Sequence, residues 1–354
     1  MRRIVVILLL VLAPAALGAR RRVVLPIPPL PVAEIDRIGA AHAQLNPGLA
    51  IAVRKDGAFH VRGYGLLDRE ANIPVRSDSV FQIASVTKQF TAAAVMRLVE
   101  EGTLSVDDRA RNFLPELDSR FDAVTIRHLL NHTSGVRDYE AHLTTPYEPK
   151  TQQEIVAFIT SGPLYFQPGT EHRYSNSGYY LLGMIIERAS SMTYEQFLRE
   201  TFFEPLALTG TSYCGTTAPP PDGHLIVSGG AATPVRSADM SLLYAAGALC
   251  STAVDLLSWN DALVSGVAVS SESYARMTSE SVRMFPGMRY GFGLIVEDLA
   301  GSRRIWHNGG ILGFSSHLAW FPDQRLTIAV LVNVFDFERD RATAIAGEIA
   351  GALR

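Results

Sequence analysis

The sequence predicts a mixed α/β chain in which a helical region is inserted into a sheet-bearing region built from both chain ends. Three observations predict it: hairpin-like strand pairs stand near both ends, a helix flanks each pair, and the segments between read as helices. At 354 residues the chain is long enough for one large domain or two ordinary ones. Its 47% hydrophobic and 19% charged content is that of a globular protein.

Taken in order, the first residues are a separate object. Arg2 and Arg3, the apolar run 4–13, and Ala16-Leu17-Gly18 at cleavage spacing read as a signal peptide over residues 1–18. The apolar run falls short of the ~20 residues of a comfortable membrane span. No stable span is therefore expected, and the protein is expected to be exported, either periplasmic or secreted. Arg20, Arg21 and Arg22 oppose translocation, so an uncleaved N-terminal anchor is the alternative. LPIPPLP makes residues 19–31 a stiff linker, and 32–354 is expected to be one domain. Its α/β part covers about 32–80 and 285–354, and its helical part about 81–284.

Residues 31–45 carry apolar side chains at helical spacing. LAIAVRKDGAFHVRGYG then gives two β-like runs around Lys55-Asp56-Gly57, a hairpin signal. SVTKQFTAAAVMRLVEEG is a helix apolar almost all round, as a buried helix is, ending at Gly102. VTIRHLLNHTSG, TQQEIVAFITSG, SGYYLLGMIIERAS, TYEQFLRETFFEPL and STAVDLLSWNDALVS continue the helical series. Residues 214–238, rich in Gly, Pro and Thr, read as a long surface loop. HLAWFPDQRLTIAVLVNV is strand, turn at Pro322-Asp323, strand, and the Ala-rich tail 337–354 is helical. The two cysteines, Cys214 and Cys250, are either a disulfide, which export permits, or two small buried apolar residues.

Several functions are excluded. A net charge of −3 offers no basic footprint for nucleic acid. No Cys/His cluster has metal-ligand spacing, so neither metal nor cofactor is expected. No Gly-x-Ser-x-Gly elbow of an α/β-hydrolase occurs.

Chemistry is concentrated in three short stretches. In FQIASVTKQF, residues 81–90, Ser85 precedes Lys88 by three, so both share one helical face. A buried ammonium is costly unless it is paired or loses its proton. A lysine without its proton can take one from a serine, and a serine hydroxyl is a poor nucleophile until a base does so. The helix start adds partial positive charge that favours an oxyanion. Taken alone, Ser-x-x-Lys is more often an N-cap serine followed by a chance lysine. In HRYSNSGYY, Tyr174 and Asn176 stand two apart in an extended segment and so face one side. Alone, this is a turn into a helix that begins near Gly178. In WHNGGILGFSS, Trp306 and His307 end a β-like run before Gly309 and Gly310. Glycine there admits a ligand or a second backbone, and a free N–H can serve an oxyanion. Alone, it is a tight turn.

Together, in this order and in these settings, the stretches resemble the serine β-lactamase and penicillin-binding protein family. The closer resemblance is to the class C β-lactamase-like group, which includes D-alanyl-D-alanine carboxypeptidases, esterases and D-amino-acid peptidases. GLLDRE, LLNHTSGV, YSNSGYYLLG, GALCSTAVDLLSW and YGFGL support it, from about residue 33 to the chain end. The resemblance implies a β-lactamase/transpeptidase-like fold: an antiparallel sheet flanked by terminal helices, plus an all-helical region, with the site between. It implies Ser85 as the acylated nucleophile and Lys88 and Tyr174 sharing the proton handling. It also implies that Asn176 orients the acyl substrate and that the backbone amides of Ser85 and Gly310 form an oxyanion hole. Tyr290 is expected to line the pocket, while His132 and Ser134 read as a helix end and turn.

The third motif departs from the β-lactamases, which carry Lys-Thr-Gly where this chain has His307-Asn308-Gly309. A mostly neutral histidine is expected to donate to a substrate oxygen yet attract an anion less than lysine does. The expected activity is an exported serine hydrolase, esterase-like or D-amino-acid peptidase-like, acting on a small-molecule or peptide ester or amide. Neutral esters are expected to be preferred over carboxylate-bearing substrates. The alternatives are a true β-lactamase or D-Ala-D-Ala carboxypeptidase, and a slow-deacylating binding or sensor protein on the same scaffold.

Overall fold

The computed structural model describes residues 30–45, 47–216, 223–299 and 301–353; the expected signal peptide and most of the linker lie outside them. The chain opens with α1 (Val32–Ala43), the hairpin β1 (Gly48–Lys55) and β2 (Ala58–Asp68), and a short β3 (Ile73–Pro74). The inserted region follows with β4 (Phe81–Gln82), α2 (Thr87–Glu100), α3 (Ile126–Leu130), α4 (Gln152–Ile159), α5 (Asn176–Ser190) and α6 (Tyr194–Leu198). It continues with β5 (Ser212–Tyr213), β6 (Gly223–Ile226), β7 (Thr233–Val235), α7 (Met240–Gly247), β8 (Leu249–Ser251), α8 (Ala253–Val264) and α9 (Ser271–Ser279). The chain returns as β9 (Val282–Phe285), β10 (Met288–Tyr290), β11 (Ile295–Leu299), β12 (Ser302–Ile311), β13 (Phe314–Phe321) and β14 (Leu326–Val332). It closes with β15 (Val334–Asp336) and α10 (Arg341–Ala352).

Both ends of the chain meet inside one nine-stranded sheet of order β3-β2-β1-β14-β13-β12-β11-β10-β9. All its neighbours pair antiparallel, with β1 against β14 in the middle from Leu49↔Val332 to Lys55↔Leu326. Side-chain alternation splits these strands between two cores. Leu49, Ile51, Val53, Ile328, Val330 and Val332 join α1 and α10 in one core. Ala50, Ala52, Ala329 and Leu331 join the helical region in the other. The sheet is thus covered on both faces, which is why β14 is buried at every residue and its sequence is an unbroken apolar run.

The inserted region is helical in its body and also carries small strands. β4, β8 and β5 form one short sheet, and β15, β6 and β7 another. The segment 214–238 is therefore not one long loop: β6 and β7 form a hairpin within it, and β6 pairs parallel with β15. No local pattern announces so short a hairpin, which exists because β15 supplies a partner edge. Among the described residues, no helix is long and apolar enough to cross a membrane.

Cys214 and Cys250 form a disulfide that ties the start of this segment to β8. The bridge closes a loop of 36 residues, which by chain entropy stabilises by about 3–4 kcal/mol. The Cys214→Ala/Cys250→Ala pair is expected to lose free energy of that order in denaturant unfolding. Two free thiols in the denatured, unreduced protein would exclude the bridge.

Candidate active site

After β4 the chain enters a 3₁₀ turn, Ala84–Val86, and passes straight into α2. Ser85 lies in this turn and Lys88 in the first turn of α2, so the expected shared face forms across a 3₁₀–α junction. Ala84 takes a φ of +45°, a left-handed conformation that costs a residue with a Cβ about 1–2 kcal/mol. The surroundings hold it there: the Ser316 hydroxyl on β13 donates to the carbonyl of Ile83 at 2.7 Å. Ser85 keeps some exposure while Ala84 and Val86 are buried.

α2 buries four polar residues in its first turns, Thr87, Lys88, Gln89 and Thr91, and each finds a partner. The Thr87 hydroxyl accepts from the Leu249 N–H, Gln89 Oε1 accepts from Trp259 Nε1, and the Thr91 hydroxyl donates to Ala245 O. Lys88 Nζ is fully buried, 3.0 Å from Ser85 Oγ, 2.8 Å from Asn176 Oδ1 and 2.7 Å from Ala246 O. The acceptor from α7 is available because Tyr244, with φ 39° and ψ −131°, breaks that helix just before Ala245 and Ala246. Burial brings the Lys88 amine down to about 7, against the opposing pull of the Glu140 and Asp138 carboxylates. Near neutral pH a large fraction of Lys88 is thus a free amine. Two of its protons can serve Asn176 and Ala246 while its lone pair meets the Ser85 hydroxyl.

Tyr174 and Asn176 do come to the same place. α5 begins at Asn176, two residues before Gly178, because Ser175 caps it by accepting from the Gly178 N–H. Tyr174 sets its ring face 4.9 Å from Lys88 Nζ and hydrogen-bonds Ser85. The residue is 37% exposed, yet its hydroxyl lies deep enough that burial pushes the phenol above its usual range. Tyr174 therefore stays protonated. Asn176 is fixed at both ends of its amide, accepting from Lys88 and donating from Nδ2 to Glu140 Oε1 at 2.7 Å.

Glu140 carried no sequence signal; it stands 36 residues from Asn176 in an unremarked stretch. Burial and the neighbouring Asp138 carboxylate raise it above the usual carboxylate range. His132 is the other surprise. It does sit at a helix end, with φ +60°, but it is buried and its ring lies 4.3 Å from Tyr174 and 4.4 Å from Tyr290. Its Nδ1 accepts from the Ser175 N–H, so it braces the turn that carries Tyr174 and Asn176.

The third motif lies on β12, where alternation sends His307 and Gly309 toward the helical region. Asn308 points the other way, to Asp340 at the start of α10. A Cβ on Gly309 would stand 2.3 Å from Ile83 O, 2.4 Å from Ser316 Oγ and 2.9 Å from Ser85 N. Gly309 is thus a place of close approach between the sheet and the Ser85 turn, not a wall that a substrate touches. Gly310 does line the cavity. Ile311 and Phe314 close the β12–β13 hairpin as a hydrogen-bonded pair across Leu312 and Gly313. Alternation then turns the Gly310 N–H away from β13, to the edge that β11 leaves open beyond Trp306.

Two further expectations are corrected. His307 is 1% exposed and Tyr290 0%; both sit behind the cleft wall. Burial, with repulsion from Lys88, pushes the His307 imidazole down to about 3, so the ring is neutral. Its Nδ1 must donate to the Asn308 carbonyl, which only accepts, and its Nε2 then accepts from the Tyr290 hydroxyl at 2.9 Å. No ring N–H remains for a substrate oxygen. Tyr290 likewise spends its proton on His307 and does not line the pocket.

Ser85, Asn176, Gly310 and Glu140 open onto one cavity of about 380 Å³. Its wall is otherwise mostly apolar, with Leu143, Pro146, Leu242, Ile311, Leu312 and Phe335. Among the described residues no group of three or more His, Cys, Asp or Glu is placed to hold a metal ion.

Comparison with known proteins agrees with this geometry. The Beta-lactamase family model matches residues 36–352. Penicillin-binding protein 4* of Bacillus subtilis is 30% identical over 338 residues, covering 88% of this chain and 73% of the relative. A D-aminopeptidase of Gluconobacter oxydans is 29% identical over 298 residues, 81% of this chain but 56% of that protein's length. The D-amino acid amidase of Ochrobactrum anthropi SV3 superposes with a TM-score of 0.83 at 26% identity, over 91% of this chain and 98% of its own. The Ser85 turn between an antiparallel sheet and a helical region, with these relatives, makes the chain a serine hydrolase of the beta-lactamase family.

Proposed function

We propose that the protein is exported and cleaves an ester or amide bond of a small-molecule or peptide substrate through an acyl-enzyme on Ser85. The observation that carries this is the Lys88 amine, 3.0 Å from Ser85 Oγ and tuned to about 7 at the edge of an apolar cavity. The free amine of Lys88 takes the Ser85 proton as Oγ attacks the carbonyl carbon. The N–H groups of Ser85 and Gly310 receive the charge that builds on the carbonyl oxygen. Tyr174, protonated and bonded to Ser85, passes a proton to the leaving group. Asn176 holds Lys88 in line and offers its amide edge to the acyl part. Water then attacks the ester on Ser85 and the same groups run in reverse.

The basic and apolar start of the sequence supports export, as does a disulfide, which persists in oxidising compartments. The D-aminopeptidase and D-amino acid amidase relatives support amide as well as ester cleavage. A fluorophosphonate probe with peptide mapping tests the assignment. Label is expected on Ser85 alone; label on a different serine, persisting in Ser85→Ala, removes Ser85 from the mechanism. Steady turnover of p-nitrophenyl butyrate, rather than one stoichiometric burst, separates the enzyme from a slow-deacylating sensor.

A further inference from the structure

We infer that Glu140 is a specificity residue that receives a protonated amino group of the substrate, so that the preferred acyl donors carry a free amine near the scissile carbonyl and an apolar side chain. This rests on Ser85 as the nucleophile and names the substrate class of that same cavity.

The first support is the charge of the wall. Among the described residues that line the cavity, Glu140 is the only ionisable acid and no Lys, Arg or His is present. A carboxylate-bearing substrate would meet no cation on that wall and one like charge, whereas an ammonium would meet its counter-ion in an apolar setting. The second is the unfinished bonding of the carboxylate. Oε1 accepts from Asn176 Nδ2, and the residue is exposed where it lines the cavity, so Oε2 is open to a donor on a substrate. A protonated amine meets that open oxygen and offsets the repulsion between Asp138 and Glu140.

The third is position. Glu140 is linked to Lys88 through the single amide of Asn176, and Lys88 touches Ser85. A carboxylate there serves a substituent close to the acyl carbon, not one at the far end of a leaving group. On the remaining wall, Leu143, Leu242, Ile311 and Phe335 offer a side chain apolar contact, worth ~25 cal/mol per Å² buried. A divalent cation is the competing occupant, but the described residues supply no group of three ligands for one.

The test compares phenylalanine methyl ester with N-acetyl-phenylalanine methyl ester, in both enantiomers, on the full protein, alongside p-nitrophenyl butyrate. Acetylation removes the positive charge and leaves the apolar side chain. Wild type is expected to favour the free amine by about 10- to 100-fold in kcat/KM, mostly through KM, for at least one enantiomer. Glu140→Gln keeps an oxygen for Asn176 but lacks the charge, and is expected to bring the ratio of the two esters to within about threefold. Because any change at Lys88 affects both esters alike, it cancels in that ratio. Equal or better use of the N-acetyl ester by wild type, or a ratio that survives Glu140→Gln, overturns the inference. So does turnover of the butyrate with neither phenylalanine ester used, while the hydrolase reading stands. If no ester is turned over, that reading fails and the inference falls with it.

Discussion

Lys88→Met is expected to lower kcat/KM for a simple ester by about 10²- to 10⁴-fold, the range of a general base, while the protein stays folded. Methionine fills the same buried volume and cannot take the Ser85 proton. Stability is not expected to fall with activity. The amine is depressed to about 7 in the fold, against ~10.4 when exposed. The unfolded chain therefore binds the extra proton between these values, so this group costs stability at neutral pH and the cost shrinks as pH rises toward 10. Removing it offsets the loss of bonds to Ala246 and Asn176, and the melting temperature should stay within a few degrees. The wild-type pH profile carries the same signature: kcat/KM should rise with pH and level off above about 7, because only the free amine is competent. A flat profile from pH 5 to 8, or a Lys88→Met enzyme within a few-fold of wild type, would remove Lys88 as the base.

Gly309→Ala is expected to cost about 10²-fold in kcat/KM, the scale of a misplacement of about 1 Å at a reacting atom. The added methyl would lie 2.3 Å from Ile83 O and 2.9 Å from Ser85 N. Both are backbone atoms of the Ser85 turn, so no flexible side chain can swing aside to make room. Either β12 moves, carrying the Gly310 N–H with it, or the turn moves, carrying Ser85. Each parts the two proposed oxyanion donors. Overpacking also costs about 1–3 kcal/mol, visible as a lower denaturation midpoint. Unchanged kcat/KM together with an unchanged midpoint would show that the sheet does not position the turn.

The three motifs were legible because each is local. Ser85 and Lys88 are three apart, Tyr174 and Asn176 two apart, and His307 to Gly310 are consecutive, so helix and strand geometry alone relates the members of each set. What each member does was less legible. His307 stands where the resemblance to the β-lactamases puts a lysine, yet Tyr290, 17 residues away, takes its Nε2 and leaves it nothing to offer a substrate. The expected preference against carboxylates now rests on a different observation, the absence of any basic side chain from the described cavity wall. Glu140 and His132 were missed as site residues because their partners, Asn176 and Ser175, lie 36 and 43 residues on. The β6–β7 hairpin was read as loop because its edge partner, β15, begins at Val334, far along the chain.

By itself the sequence determined the longer elements and the sides they present. The alternation of Leu49, Ile51 and Val53 with Ala50 and Ala52 already assigns β1 two different faces, and the apolar girth of α2 already requires burial. Only the tertiary structure decided the chemistry. The Lys88 amine is brought down to about 7 because packing strips its water, while Asn176 and Ala246, 88 and 158 residues away, supply the bonds that replace it. Desolvation and charge act through space, and the distances that govern them are set where segments remote in sequence pack together, which no local pattern records.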